Sequence, residues 1–447
     1  MGKGALAAEA ARYRVAVGAG NEGAGGNGPA VVGRTFRSLG RRNYRLFFAG
    51  ELVSNTGSWM QTMAEAWLVL RLTHSGTAVG ATFGFRFAPV LLFGLWGGAV
   101  VDRFDRRKVL LITQSLSAVL AVALWVIVAA GAVQAWMVFA LAFGLGLVTV
   151  VDQPAHQAFL EEIVGPDHVA NAVALQNAVA NSARITGPAI AGLVIGVAGV
   201  SVVFFANALS FMAVVAALAA MHRDELFPYL RPARTPKVRE GVAYLKALRE
   251  IRGTLVLIAV VGTLVYNFPT FLTLLARDSF HGGASTAGLL MAVLGAGTVV
   301  GALVAANRAR PTRRAVVGSA GLLGAALALL AVVPARAGLI TVLVPVGALA
   351  IYFGSTANAH MQVSSAPQFR GRVMSAYSLL TNGTTVIGGP LVGWVCQRWD
   401  TRAGFALAGA ATGAAAVAVA LAMRGRRAPS TASAGLVREP AIGLARP

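Results

Sequence analysis

The sequence predicts an all-α polytopic membrane protein, twelve transmembrane helices in two six-helix bundles related by a pseudo-twofold axis. Three observations carry that expectation. Of 447 residues, 56% are hydrophobic and only 12% charged, with a mean hydropathy of +0.68. A soluble domain cannot hide that much apolar surface, whereas a bilayer solvates it. The apolar residues gather in runs of about 20, enough to cross the hydrocarbon layer, and roughly twelve such runs use up the chain. Finally, a charged turn at residues 97–109, GGAVVDRFDRRKV, recurs in degraded form at residues 301–314 as GALVAANRARPTRR. A duplicated turn between apolar segments makes transport the leading functional expectation.

Residues 1–40 open the chain with a Gly- and Ala-rich stretch that lacks the compact apolar core of a signal peptide; they are expected to form a cytoplasmic tail. The first bundle occupies 41–221, with crossings near 44–72, 78–101, 109–131, 135–158, 172–197 and 200–220. Residues 222–252 form a linker whose Pro–X steps lead into Val238, Val242, Leu245 and Leu248 at helical spacing, an amphipathic helix lying on the inner membrane surface. The second bundle occupies 253–424, with crossings near 254–276, 286–306, 315–333, 338–360, 374–396 and 403–423; residues 425–447 form a second tail. Pro89, Pro154, Pro188, Pro269, Pro345 and Pro390 fall inside crossings, where each bends a helix and frees a carbonyl.

The net charge of +21 would point to nucleic acid in a soluble protein, but its placement excludes that partner. Arginines cluster at 34–45, at 103–107, between the two halves and at 308–314, while the alternate loops hold only Arg71, Arg277, Arg336, Arg398 and Arg402. This positive-inside pattern predicts a multi-pass membrane protein with both termini in the cytoplasm, and the heavy use of Ala, Val, Gly and Arg points to a GC-rich bacterial genome and so to a bacterial cytoplasmic membrane. The lone Cys396 excludes a disulfide framework and a thiol metal site and reads as a small buried hydrophobe. No cofactor or metal is expected, no paired catalytic groups stand at useful spacing, and no phosphate-cradling loop makes ATP the direct energy source. The expected partners are a small-molecule cargo, protons and the lipid bilayer, and the expected state is a monomer.

A second repeat lies at nearly the same offset as the first, within two residues. Ala155–His156 pairs with Ala359–His360, and Gly187–Pro188 with Gly389–Pro390. With the turn at Gly98, Asp102, Arg103, Arg106 and Arg107, the chain resembles the major facilitator superfamily from Asn43 to Met423, although Asp105 replaces that family's usual glycine. TGPAIAG, with Gly187, Pro188 and Gly192, resembles the helix-5 motif of its antiporter branches. NYRLFFAGELVSNTGSWMQ, DQPAHQAFLEEIVG, NAVALQNAVANSARITGP and RGRVMSAYSLL are similar to the branch of enterobactin exporters, macrolide-efflux proteins and other transmembrane secretion effectors. The resemblance implies the major facilitator fold and a proton-coupled exporter of a hydrophobic or amphipathic solute such as an antibiotic, siderophore or secondary metabolite. Nutrient uptake and a non-transporting membrane sensor remain alternatives. Many drug–proton antiporters carry an arginine midway along helix 4; this chain has none, so a scheme built on it does not transfer.

Candidate residues fall into three groups. Gating is expected from Gly98, Asp102, Arg103, Arg106, Arg107, Gly187, Pro188, Gly192, Arg370, Gly371, Arg372, Gly389 and Pro390. The plainer reading is that the charges only anchor a short loop. Ionisable groups within crossings cost roughly 2.5–3.5 kcal/mol each at mid-bilayer and want partners. These are Glu51, Glu65, Arg86, Asp152 and Arg184; Glu65 and Arg86 are expected to pair, and Arg184 to reach Asp152 or Glu51. Glu51 or Asp152 is the candidate proton carrier, against a set of fixed structural ion pairs. His156 and His360 read as a proton relay or as duplicated structural residues. The resemblance implies a cavity lined by helices 1, 4, 7 and 10, which offer Trp59, Met63, Phe139, Phe143, Tyr266, Asn267, Phe268, Tyr352, Phe353 and Asn358.

Overall fold

The computed structural model describes residues 37–227, 249–306, 312–365 and 370–424. Among these residues the chain is helical, with no strand. The helices are α1 (Arg42–Thr73), α2 (Gly76–Val101), α3 (Arg106–Ala129), α4 (Ala135–Val164), α5 (Val169–Ala198), α6 (Val200–Ala219), α7 (Arg249–Leu264), α8 (Phe268–Asp278), α9 (Ala284–Ala306), α10 (Arg313–Val332), α11 (Arg336–Val363), α12 (Arg370–Ser378), α13 (Thr385–Arg398) and α14 (Thr401–Arg424). α7 and α8 make one crossing, as do α12 and α13, so the described residues form twelve crossings. Ten of them are long and apolar enough to span a bilayer by themselves. The other two are α1, diluted by Glu51, Asn55, Gln61 and Glu65, and the α12–α13 crossing.

Two expectations of continuous helix are corrected. The seventh crossing breaks at residues 265–267, because Pro269 lacks the N–H a continuing helix needs and instead opens α8 at its second position. The eleventh loosens into a π-turn at Leu379–Gly383. The fourth also runs beyond its expected end at 158, to Val164, where Gly165 at φ +71° turns the chain. The predicted linker helix, most of both tails, Arg308 and Arg310 lie outside the described residues.

The packing repeats. In the first half α1 packs on α5 and α6, α2 on α4, and α3 on α4 and α6. The second half has the same set: α7–α8 on α13 and α14, α9 on α11, and α10 on α11 and α14. Contacts between halves also come as a related pair, α2 with α13 and α5 with α9. This is the pseudo-twofold of two six-helix bundles. The outer faces carry Leu193, Val197, Leu303, Ile387 and Leu421 exposed, Val197 to 92%. Such a surface is stable only against lipid.

The two ends of the bundle pair differ. One holds the start of α1, the 102–105 turn and the starts of α10 and α12, and is rich in arginine; it is termed the basic end. At the opposite end the halves touch at backbone distance. A methyl group on Gly80 would run into the carbonyl of Gly389, one on Gly393 into that of Gly76, and one on Gly288 into that of Pro188. Ser75, which caps α2, donates a hydrogen bond to Gln397 Oε1 at 2.7 Å across the same seam. Small residues thus allow the close approach that seals this end.

Candidate functional site

Between the halves lies a cavity of ≈ 840 Å³. Its wall comes from α1, α2, α5, the α7–α8 break, α9, α11 and the α12–α13 crossing. It runs from mid-depth toward the basic end, where Asn177 on the first third of α5 is exposed. Of the residues expected there, Trp59, Tyr266, Asn267, Phe268 and Asn358 line it. Met63, Phe139, Phe143, Tyr352 and Phe353 do not. Met63 and Phe353 are fully buried in the core, and Phe139 stacks on Phe85 with ring centroids 5.3 Å apart. α4 supplies no wall residue because it is held against α2: a methyl group on Gly97 would meet the Val150 carbonyl, and one on Gly146 that of Arg86.

Sequence reasoning missed a polar stripe. Asn177, Asn181 and Arg184 recur at i, i+4 and i+7 on α5, and Tyr377, Thr381 and Thr385 at four-residue steps through the π-turn. Either spacing places its residues on one helix face, so the signal was present. The break in the seventh crossing turns Asn267 into the wall, where its Nδ2 donates to Thr263 O at 2.7 Å. Tyr266 and Tyr377 donate from their phenols to the Ala350 and Gly354 carbonyls of α11, each at 3.2 Å.

The buried charges sort into distinct groups. Glu65 sits 3.4 Å from Arg86 and accepts a hydrogen bond from Gln61 Nε2 at 2.6 Å, with Gln61 in turn held by Asn207. Glu51 lies 3.2 Å from His156, accepts from Asn55 at 2.9 Å, and the imidazole packs on Phe47 at 4.7 Å. One helical turn before His156, Asp152 accepts from Thr113 and, at 3.0 Å, from Gln114. His156 therefore pairs with Glu51 and has Asp152 as a further electrostatic neighbour inside the first bundle. Arg184 reaches neither, which corrects the expected pairing: it projects from α5 into the cavity, and the acids face the α1–α3–α4 packing. Its guanidinium lies over the Trp59 ring, 5.1 Å from the centroid, with Tyr266 and Tyr377 as its other electrostatic neighbours. It has no ion pair among the described residues. His360, the repeat counterpart of His156, faces Ser364 Oγ at 3.4 Å.

At the basic end the signature turn divides its labour. Asp105 accepts from Lys108 N at 3.0 Å and so caps α3, which gives a role to the residue that departs from the family glycine. Arg107 closes the end of α6 by donating to the carbonyls of Leu218, Ala219 and Met221 at 2.9, 3.0 and 3.2 Å. Arg106 pairs with Glu162 of α4. These two arginines tie the first bundle together. Asp102 and Arg103 are exposed, without a partner among the described residues, and Gly98 faces open space. Arg370, Gly371 and Arg372 open α12 at the same end; their side chains lie outside the described set. The remaining candidates sit toward the sealed end. Gly187 packs on Trp59 and the Thr56 carbonyl, Pro188 and Gly192 on α9, and Gly389 and Pro390 on α2.

Two pseudosymmetric bundles around a central chamber are the architecture of the major facilitator superfamily. Within it the chain belongs to the transmembrane secretion effector family, which it matches over residues 34–442. The staphyloferrin A transporter of Staphylococcus aureus is 24% identical over 261 residues, 58% of this chain and 66% of that protein, so the match spans just under two thirds of the relative's length. The multidrug efflux pump Tap of Mycolicibacterium fortuitum is 29% identical over 376 residues, 78% of this chain and 88% of the pump. Among solved structures, the nucleoside transporter NupG has the same fold, with a TM-score of 0.69 at 14% identity over 86% of this chain and 99% of that one.

Proposed function

We propose that this protein exports an amphipathic small molecule from the cytoplasm in exchange for protons, by alternating access. The observation that carries the reading is the chamber: large enough for a drug-sized solute, sealed at one end by glycine contacts and extending toward the other. The arginine-rich end is the cytoplasmic one by the positive-inside pattern, so cargo enters from the cytoplasm. The efflux-type relatives support that direction.

Rocking of the bundles would part the Gly80–Gly389 and Gly192–Gly288 seams and close the basic end. Asp102 and Arg103, without partners among the described residues, then meet the start of α12 over the open space at Gly98, so the turn biases a two-state equilibrium. Proton coupling falls to Glu51, His156 and Asp152. Two carboxylates with one imidazole carry net negative charge even when the imidazole is protonated, and one further proton makes the set neutral. Glu65–Arg86 and Arg106–Glu162 are already balanced and act as fixed struts.

Inverted membrane vesicles test the export reading with three dansyl probes of different charge: dansylglycine, dansylglycinamide and dansylcadaverine. Proton-driven accumulation of at least one of them, abolished by an uncoupler, is the expected result. No accumulation of any probe above vesicles lacking the protein counts against export.

A further inference from the structure

Resting on the export reading, we propose that the cargo is an amphipathic monoanion whose carboxylate docks on Arg184. Among the described residues the chamber wall holds two cations, Arg86 and Arg184, and no acidic residue. Arg86 is neutralised from behind by Glu65, whose side chain is itself shut away from the chamber at 2% exposure. The wall therefore presents one uncompensated positive charge, deep between the bundles. Arg184 is surrounded by an indole face and two phenols rather than carboxylates, and both phenols already donate to α11 carbonyls. Its donors are left to a ligand.

A guanidinium offers a planar fork that matches a carboxylate bidentately, and stacking on Trp59 fixes its orientation. Asn177 and Asn181 on the same face of α5, with Asn358 and Asn382 across the chamber, can hydrogen-bond further polar groups of the solute. Trp59, Phe83, Phe87 and Phe268 supply the aromatic part of the apolar wall. The site thus takes an anionic head on one side and a ring or acyl body on the other. A cation of the same shape would meet Arg184 without a counter-charge.

The test is binding of the three dansyl probes to the full chain in nanodiscs, read by dansyl fluorescence. Wild type should bind dansylglycine at least about tenfold tighter than dansylglycinamide, roughly 1.4 kcal/mol, with dansylcadaverine weakest. Arg184→Gln should erase that preference by weakening dansylglycine far more than the amide, and retained amide binding also reports an intact chamber. Equal affinities of wild type for all three probes, or a preference for the cation, overturns the proposal. If Arg184→Gln loses every probe together, Arg184→Lys decides: a retained carboxylate preference supports the site, and its loss with the amide still bound overturns it. Selective binding without vesicle accumulation would sink the export reading alone. Accumulation without charge selectivity would sink only the anion site.

Discussion

At the scale of single residues, the arginines of this chain show how alike sequence signals part in function. Arg106, Arg107 and Arg184 are all cations in or beside apolar crossings. Arg106 and Arg107 are consumed by an ion pair and three helix-end carbonyls, so they hold structure. Arg184 faces the chamber with its charge unspent. The acids divide in the same way. Glu65 has its arginine, whereas Asp152, among the described residues, accepts only from Thr113 and Gln114, with the Glu51-paired His156 as an electrostatic neighbour. Neutral hydrogen bonds leave Asp152 able to change charge without breaking an ion pair. Asp152→Asn should therefore cut proton-driven accumulation in inverted vesicles at least about tenfold, equivalent to roughly 1.4 kcal/mol. Exchange of labelled for unlabelled probe without a gradient should persist, because an asparagine keeps the Thr113 contact and the fold. Loss of both activities, or of neither, would remove Asp152 from the coupling step.

At the scale of elements, the seam between α2 and α13 is the part that has to move in the proposed cycle. Its backbones touch at Gly76, Gly80, Gly389 and Gly393, and Ser75 meets Gln397 at 2.7 Å. Ser75→Cys with Gln397→Cys, in a Cys396→Ser background, places two thiols across it; the native Cys396 is buried. A short bridging reagent such as dibromobimane should staple the sealed end and stop vesicle accumulation, while each single-cysteine protein keeps its activity after the same treatment. Unimpeded flux through the stapled protein would mean this seam does not open in the cycle. The elements themselves were largely legible, since crossings follow from apolar length and the duplication from a nearly shared offset. The chamber was less so. Hydropathy says that α4 is in the membrane but not that Gly97 and Gly146 draw it onto α2, so Phe139 and Phe143 were placed on a wall they do not reach. The polar face of α5 is written in the spacing of Asn177, Asn181 and Arg184, yet only the packing with Trp59 shows that it looks into the chamber.

For the whole molecule, under the proposed exchange of cargo for protons, the sign of the cargo would set how the membrane potential drives the cycle. With the cytoplasm negative, one proton entering moves one positive charge inward. An anion leaving in exchange moves a second charge in the same sense, whereas a neutral solute adds none. Each charge is worth about 2.3 kcal/mol per 100 mV. A proton exchanged for a neutral solute thus sustains a gradient of roughly fifty-fold at 100 mV, and one exchanged for a monoanion roughly two-thousand-fold, at about 1.4 kcal/mol per decade. Proteoliposomes with an imposed potassium diffusion potential and no pH difference separate these cases. The logarithm of the steady-state accumulation ratio should rise about twice as steeply with voltage for dansylglycine as for dansylglycinamide, since the slope counts charges and not affinity. The single positive charge at Arg184 makes the steeper slope possible, because it lets an anion occupy a chamber whose other charged groups are already balanced. Equal slopes would mean that the carboxylate crosses protonated, with Arg184 selecting the cargo but leaving its charge out of the transport step.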